Sequence, residues 1–336
     1  MASDSVNAHH EGLTQKRWWP WFRRIAALGF FALVATLLVS QAQEIEWRQV
    51  LSSLASYPMS AIWSAAALSA ASLLLYSCFD LLGRRYTEHQ LGTASVMTTT
   101  FVSYVFNLNL GSLVGALGMR YRLYSRLGLG LSTIARVVSL SMLTNWMGYL
   151  LLAGLMFSLQ PPALPDSWGI SSLQLRLGGA ALLALVLAYL AACGFLKQRS
   201  FELRGHTIEL PSTSMALLQL LMGAANWLLM ASIIYVFLLQ RIDLATVVSV
   251  LLLAAVAGVI THIPGNLGVL EAVFVALLSN RMPAHELVAG LVAYRLVYFL
   301  LPLALAAAVF VGLELAARKQ RANQPAQFRP APAAKP

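Results

Sequence analysis

Apolar runs of membrane-crossing length alternate with short polar segments from about residue 25 to residue 315. Six runs, at about 25–40, 59–82, 137–159, 177–196, 214–239 and 286–315, are continuous and predict full crossings. Two more, about 93–118 and 244–280, are interrupted. The first interruption reads Asn107-Leu108-Asn109-Leu110-Gly111. The second reads Pro264-Gly265-Asn266-Leu267-Gly268, with His262 before it and Glu271 after it. In hydrocarbon an unpaired backbone amide costs several kcal/mol, so a helix broken there must line a protein cavity rather than face lipid. Broken helices of this kind hold the cargo in many transporters. The pattern predicts an all-α, polytopic integral membrane protein with about six full transmembrane helices plus two re-entrant broken-helix hairpins.

Composition agrees with that class. The 336 residues are 59% hydrophobic and 11% charged, with mean hydropathy +0.70, which excludes a soluble globular protein. The net charge of +10 does not point to nucleic acid, because the basic residues lie between apolar runs rather than on one water-facing surface. Cys78 and Cys193 both fall within apolar spans without metal or redox spacing, so they are expected to pack and no cofactor is expected. No P-loop, H-E-x-x-H or G-x-S-x-G motif occurs, and no enzymatic activity is expected.

Charge orients the spans. With the N-terminus in the cytosol, 17 Lys and Arg residues fall on cytosolic segments and only Arg48, Arg176, Arg241 and Arg281 fall outside, as the positive-inside rule requires. Both termini are therefore expected in the cytosol, in a bacterial inner membrane. Three regions follow: a basic cytosolic segment at 1–24, a single transmembrane domain at 25–316, and a disordered cytosolic tail at 317–336, rich in Pro, Ala and Gln. A cleaved signal ending near Ser40-Gln41-Ala42 is the alternative for the first span, but Trp18, Trp19 and Trp21 suit the interfacial belt of a retained anchor. Residues 201–210, FELRGHTIEL, could form a small hairpin around Arg204-Gly205.

The same charges make the two broken segments opposite in orientation. Segment 93–118 lies between cytosolic Arg84/Arg85 and Arg120/Arg122/Arg126, whereas 244–280 lies between external Arg241 and Arg281. Charge parity leaves open re-entrant hairpins or pairs of short crossings. Arms of roughly 15–25 Å at 1.5 Å per residue, against a hydrocarbon core of about 30 Å, favour hairpins. Asn109-Leu110-Gly111-Ser112-Leu113 also aligns with Asn266-Leu267-Gly268-Val269-Leu270. Opposite insertion and flanking full spans make this an expected inverted repeat, with a site where the tips meet near the midplane. Gly111, Ser112, Gly115 and Gly118 offer the first hairpin a small-residue face for packing against the second.

Within this frame Glu271 stands out, since a carboxylate in the apolar layer must be paired or functional. Two readings stay open: pairing with a transport role, or capping of the helix that begins near Gly268. Arg295, in the last span, is the natural counter-charge. Arg120, Arg122 and Arg126 are either a positive-inside anchor or a phosphate-collecting mouth. Arg136 either snorkels to the interface or lines the site, and His262 either takes a proton or is structural. Asn145 and Asn226 are expected to bond between helices, and Asp80 to pair with Arg84 four residues on.

NLGSLVGALGMRYRLYSRLGL (109–129), HIPGNLGVLEAVF (262–274) and AYRLVYFLLPL (293–303) resemble the signature regions of the lysylphosphatidylglycerol synthase transmembrane family. This is the membrane domain of bifunctional synthase/flippases and of stand-alone bacterial relatives. The resemblance spans most of 20–316 and implies a polytopic plasma-membrane protein, with phospholipid translocation belonging to the bifunctional members. By motif it carries over to Pro264, Gly265, Gly268, Glu271, Tyr294 and Arg295. Asn266 replaces a glycine usual in the turn, a change a left-handed backbone tolerates. No aminoacyl-transfer domain follows, so lipid synthesis is not expected. The expected function is translocation of an anionic phospholipid or another phosphate-bearing lipid, with Asn109, Gly111 and the residues above forming the site. The alternatives are a small-solute or ion transporter, or a membrane partner of a lipid-modifying enzyme. Phospholipids are the expected partners, with a second copy of the chain or a lipid enzyme as further candidates and no nucleic acid.

Overall fold

A computed structural model describes residues 47–165, 168–196, 200–203, 206–261 and 263–322. The chain divides into two compact units, residues 1–48 and 49–336. Of the first unit only Trp47 and Arg48 are described, so the segment predicted at 25–40, the basic N-terminus, His262 and the tail beyond Ala322 lie outside the described residues. The second unit is helical: α1 (Trp47–Ala55, which begins in the first unit), α2 (Met59–Ser77), α3 (Phe79–Thr87), α4 (Thr93–Leu110), a π-helical segment Leu113–Met119 running into α5 (Arg120–Arg126), α6 (Leu131–Leu159), α7 (Ser172–Phe195), α8 (Thr213–Phe237), α9 (Leu244–Thr261), a 3-10 turn Pro264–Asn266, α10 (Val269–Leu278), α11 (Ala284–Arg295), a π-helical turn Leu296–Leu300 and α12 (Leu301–Ala322). Ser200–Leu203 (β1) and His206–Glu209 (β2) pair antiparallel with Phe201 opposite Ile208, so the short hairpin anticipated at 201–210 is present.

Six of these stretches are long and apolar enough to cross a membrane: Met59–Thr87, Leu131–Leu159, Ser172–Phe195, Thr213–Phe237, Leu244–Thr261 and Ala284–Ala317. Five coincide with predicted crossings. The sixth, α9, was expected to be a short arm. Its break falls late in the apolar segment, leaving 18 residues before it and only the 10 of α10 after it. The first break is likewise later than its sequence suggested. Helix α4 runs unbroken through Asn107, Leu108 and Asn109, and the chain turns only at Gly111, with φ 84°. In each broken segment the two arms pack against one another.

Glycines set how closely the helices approach. A Cβ at Gly148 of α6 would lie 2.1 Å from the backbone of Gly223 in α8, so these two helices cross backbone to backbone. At Gly115 it would lie 2.0 Å from the amide nitrogen of Asn107. The small-residue face of the first hairpin therefore seats its return arm on α4. It does not face the second hairpin as expected, because the tight turn at Gly111 brings these two arms together first.

Polar side chains pin the interior. The Asn226 carboxamide accepts from the Ser72 hydroxyl at 2.8 Å, which realises one expected interhelical bond. Asn145 takes part through its backbone carbonyl, which accepts from Trp227 Nε1 at 3.2 Å. Ser72 Oγ also meets the Tyr298 hydroxyl at 2.8 Å, and Tyr298 meets Tyr104 at 2.9 Å. Such bonds contribute about 0.6 kcal/mol each in a membrane protein, up to roughly 1.7. The π-turn at 296–300 loosens the regular ladder, and its carbonyls find side-chain donors: Ser69 Oγ to Val297 O at 3.2 Å and Asn109 Nδ2 to Phe299 O at 3.4 Å.

Candidate functional site

The second break is built by three left-handed residues in a row of five. Pro264 opens the turn, having no N–H to continue a helical ladder. Gly265 (φ 64°), Asn266 (φ 49°) and Gly268 (φ 77°) then occupy the region that L-residues with a bulky side chain avoid. Asn266 adopts the left-handed backbone its substitution for glycine required, and its side chain lies against Gly258, where a Cβ would be 2.3 Å away. Gly265 faces the end of the first hairpin, with a Cβ position 3.4 Å from Leu108 O and 3.5 Å from Asn109 O. The two tips therefore touch.

Arg295, the last residue of α11, holds this junction together. Its Nε and Nη2 donate to the two carboxylate oxygens of Glu271 at 2.5 and 3.0 Å. Nη1 and Nη2 also donate to Gly265 O and Asn266 O, both at 2.8 Å. Its guanidinium carbon sits 5.4 Å from the centre of the Phe299 ring. The pairing of Glu271 with Arg295 is thus present, and the carboxylate is taken up by it rather than by a helix cap. One guanidinium satisfies a carboxylate and two carbonyls that the broken helix would otherwise leave unpaired. The pair is not sealed: its side chains are 12% and 16% exposed.

The other expected site residues divide. Asn109 and Gly111 lie at the first tip, with Asn109 Nδ2 donating to Val105 O at 2.9 Å. Tyr294 does not reach the break. It is buried and stacks on Tyr298 with ring centroids 5.5 Å apart, since the residue before Arg295 points about 100° round the helix from it. Arg136 is exposed on α6 without a hydrogen bond or ion pair among the described residues.

Arg120 is neither the surface anchor nor the phosphate-collecting mouth that its sequence left open. Its side chain is 1% exposed, and it donates to both carboxylate oxygens of fully buried Asp80 at 2.9 and 3.1 Å. Ser141 Oγ and Ala116 O take its remaining contacts, at 3.1 and 3.4 Å, and the Tyr124 hydroxyl donates to Asp80 at 2.8 Å. Asp80 accordingly does not pair with Arg84, whose Nη1 donates to Leu91 O and Thr93 Oγ1. Arg122 and Arg126 stay open and share Glu314 of α12, with Arg122 also lying 5.3 Å over the Phe310 ring.

Asp80, Glu314 and Phe299 escaped the sequence reading as partners of these arginines. The usable signal was the cost of a lone acid in an apolar span, which makes Asp80 seek a distant counter-charge and not only a neighbour on its own helix. No cluster of three or more His, Cys, Asp or Glu side chains suited to a metal occurs among the described residues.

A sequence profile for the lysylphosphatidylglycerol synthase TM region matches residues 24–306. The chain belongs to this family. It is 43% identical over 309 residues to the inner membrane protein YbhN of Escherichia coli K12, covering 92% of this chain and 97% of that one. An uncharacterised Synechocystis protein is 28% identical, with 89% and 94% covered. A phosphatidylglycerol lysyltransferase of Staphylococcus haemolyticus is 23% identical over 84% of this chain but only 32% of its own length. The family and six apolar helices among the described residues make this a multi-pass membrane protein.

Proposed function

We propose that this chain is an inner-membrane lipid translocase that moves an anionic phospholipid, or another phosphate-bearing lipid, between leaflets. The observation that carries this reading is the half-buried Glu271–Arg295 pair placed where two helix breaks meet. Ionised side chains inside a membrane are costly and tend to mark a substrate path. Here both partners are neutralised by each other, so a headgroup phosphate can take the guanidinium while Glu271 is released, and the pair re-forms behind it. In this reading the hairpins are re-entrant and enter from opposite leaflets as an inverted repeat. Arg122 and Arg126 receive the headgroup at the cytosolic side, where both termini lie. A phosphatidylglycerol-handling relative supports a phospholipid substrate, and YbhN supports the inner membrane.

The test is reconstitution into liposomes with a leaflet-specific quencher of labelled phosphatidylglycerol. The wild-type protein is expected to scramble the label, and Glu271→Gln and Arg295→Ala to lower the rate at least about tenfold, equivalent to about 1.4 kcal/mol. Scrambling unchanged in both variants defeats the assigned roles. Solute uptake or ionic current without lipid movement would instead favour a transporter on the same scaffold.

A further inference from the structure

The Glu314 carboxylate is held by two arginines at once. Arg126 grips it with a fork, Nη1 to Oε1 at 2.6 Å and Nη2 to Oε2 at 2.8 Å, and Arg122 Nη2 adds a third donor to Oε1 at 2.6 Å. The two arginines stand one turn apart on α5, so they present one face. Two guanidinium groups share one carboxylate, leaving one positive charge uncompensated. Their side chains are 52% and 30% exposed, and exposed ion pairs contribute little to stability. This is a contact that can be exchanged. The Phe310 ring beneath Arg122 keeps that guanidinium placed when the carboxylate leaves.

We propose that Glu314 is an internal stand-in for a phosphate, holding the Arg122–Arg126 site closed until a phosphate-bearing headgroup displaces it. The inference rests on the translocase reading for its biological purpose, but its chemistry stands on the site alone. Among the described residues, each hydrogen bond joining side chains of α5 and α12 ends on Glu314. Displacement therefore removes the polar ties between α5 and α12, while α12 keeps its packing on α4, including the Phe310 ring against Phe106. The same continuous helix carries Arg295 near its other end.

The full-length protein in neutral detergent is titrated with dioctanoyl phosphatidylglycerol, dioctanoylglycerol and inorganic phosphate. Glu314→Gln is expected to bind phosphatidylglycerol about three- to tenfold more tightly than wild type, because the internal competitor is gone. The double variant Arg122→Gln/Arg126→Gln is expected to lose that binding, and dioctanoylglycerol to show no difference among the three proteins. An equal gain for inorganic phosphate supports an oxyanion site not restricted to lipid. Unchanged or weaker phosphatidylglycerol binding by a folded Glu314→Gln protein overturns the proposal. A second measurement leaves Glu314 in place: spin labels at Ser125→Cys and Leu315→Cys, with Cys78 and Cys193 changed to Ser, should move apart on adding phosphatidylglycerol. A distance that stays fixed also overturns it. If Glu314→Gln gains affinity while wild type scrambles no lipid in liposomes, the switch stands and the translocase reading falls.

Discussion

Two guanidinium–carboxylate pairs of the same bidentate design sit in this protein in opposite circumstances. Arg120–Asp80 is sealed, at 1% and 0% exposure, with Ser141, Tyr124 and a backbone carbonyl using up the remaining hydrogen bonds. Arg295–Glu271 is 12% and 16% exposed and leans on the two carbonyls of a broken helix. A sealed pair fixes one arrangement, because any substitute must bring its own charge through protein. A half-open pair whose partners include backbone oxygens can trade one of them for a ligand. The contrast shows that burial and the neighbouring acceptors, rather than the pairing itself, separate a structural pin from an exchangeable contact.

Breaking the sealed pair should have the largest effect. Asp80→Asn leaves the Arg120 charge buried without a counter-ion, which should destabilise by about 3–5 kcal/mol, read as a lowered thermal midpoint in detergent. Replacing both residues by leucine should recover much of that loss, and a harmless single change would erase the distinction between the pairs. Arg295→Lys should be milder for the fold. An ammonium cannot reproduce the planar fork on a carboxylate and two carbonyls, so a loss of about 1–3 kcal/mol is expected together with at least a tenfold fall in lipid scrambling.

Gly265→Ala probes the backbone beneath the open pair. The left-handed conformation should cost about 1–2 kcal/mol, whereas the added methyl would make only ordinary contact with the Leu108 and Asn109 carbonyls, at 3.4 and 3.5 Å, so transport is expected to fall through the altered turn rather than through a clash. Asp243, at the base of the second hairpin, supplies the exposed end of the comparison. Burial pushes its carboxyl up, but the Thr246 amide and hydroxyl and the Arg281 charge outweigh this and hold it below the usual carboxylate range. Its contribution is therefore complete above a pH of about 3.9 and is lost as pH falls through the depressed value. Thermal melts of wild type and Asp243→Asn should differ by the same small amount at neutral and mildly acidic pH, and converge only in strong acid.

The apolar runs made most of the helices legible, since each crossing must satisfy its backbone internally whatever surrounds it. Glu271 and Arg295 were legible for a related reason: each is an expensive ion in an apolar run, and each needed the other. The site at Arg120 was misread because its partner, Asp80, lies 40 residues away, while Arg84 offered a closer and cheaper pairing on the same helix. Local spacing records neighbours on one helix but not which helix packs beside it. Glu314 was passed over for the same reason. The small-residue face was recognised, but which surface it met depended on the turn geometry at Gly111, which sequence spacing alone does not set.

The π-turn at Leu296–Leu300 has one further effect on how α11 and α12 are read. Arg295 and Glu314 are 19 positions apart, and at about 100° per residue a regular α-helix would set them roughly 100° out of phase. The extra residue that a π-turn accommodates takes up about one such step, which rotates both onto a common azimuth. Deleting Leu296 or Leu300 would rewind the helix and swing Glu314 away from its two arginines while leaving Glu314, Arg122 and Arg126 themselves unchanged.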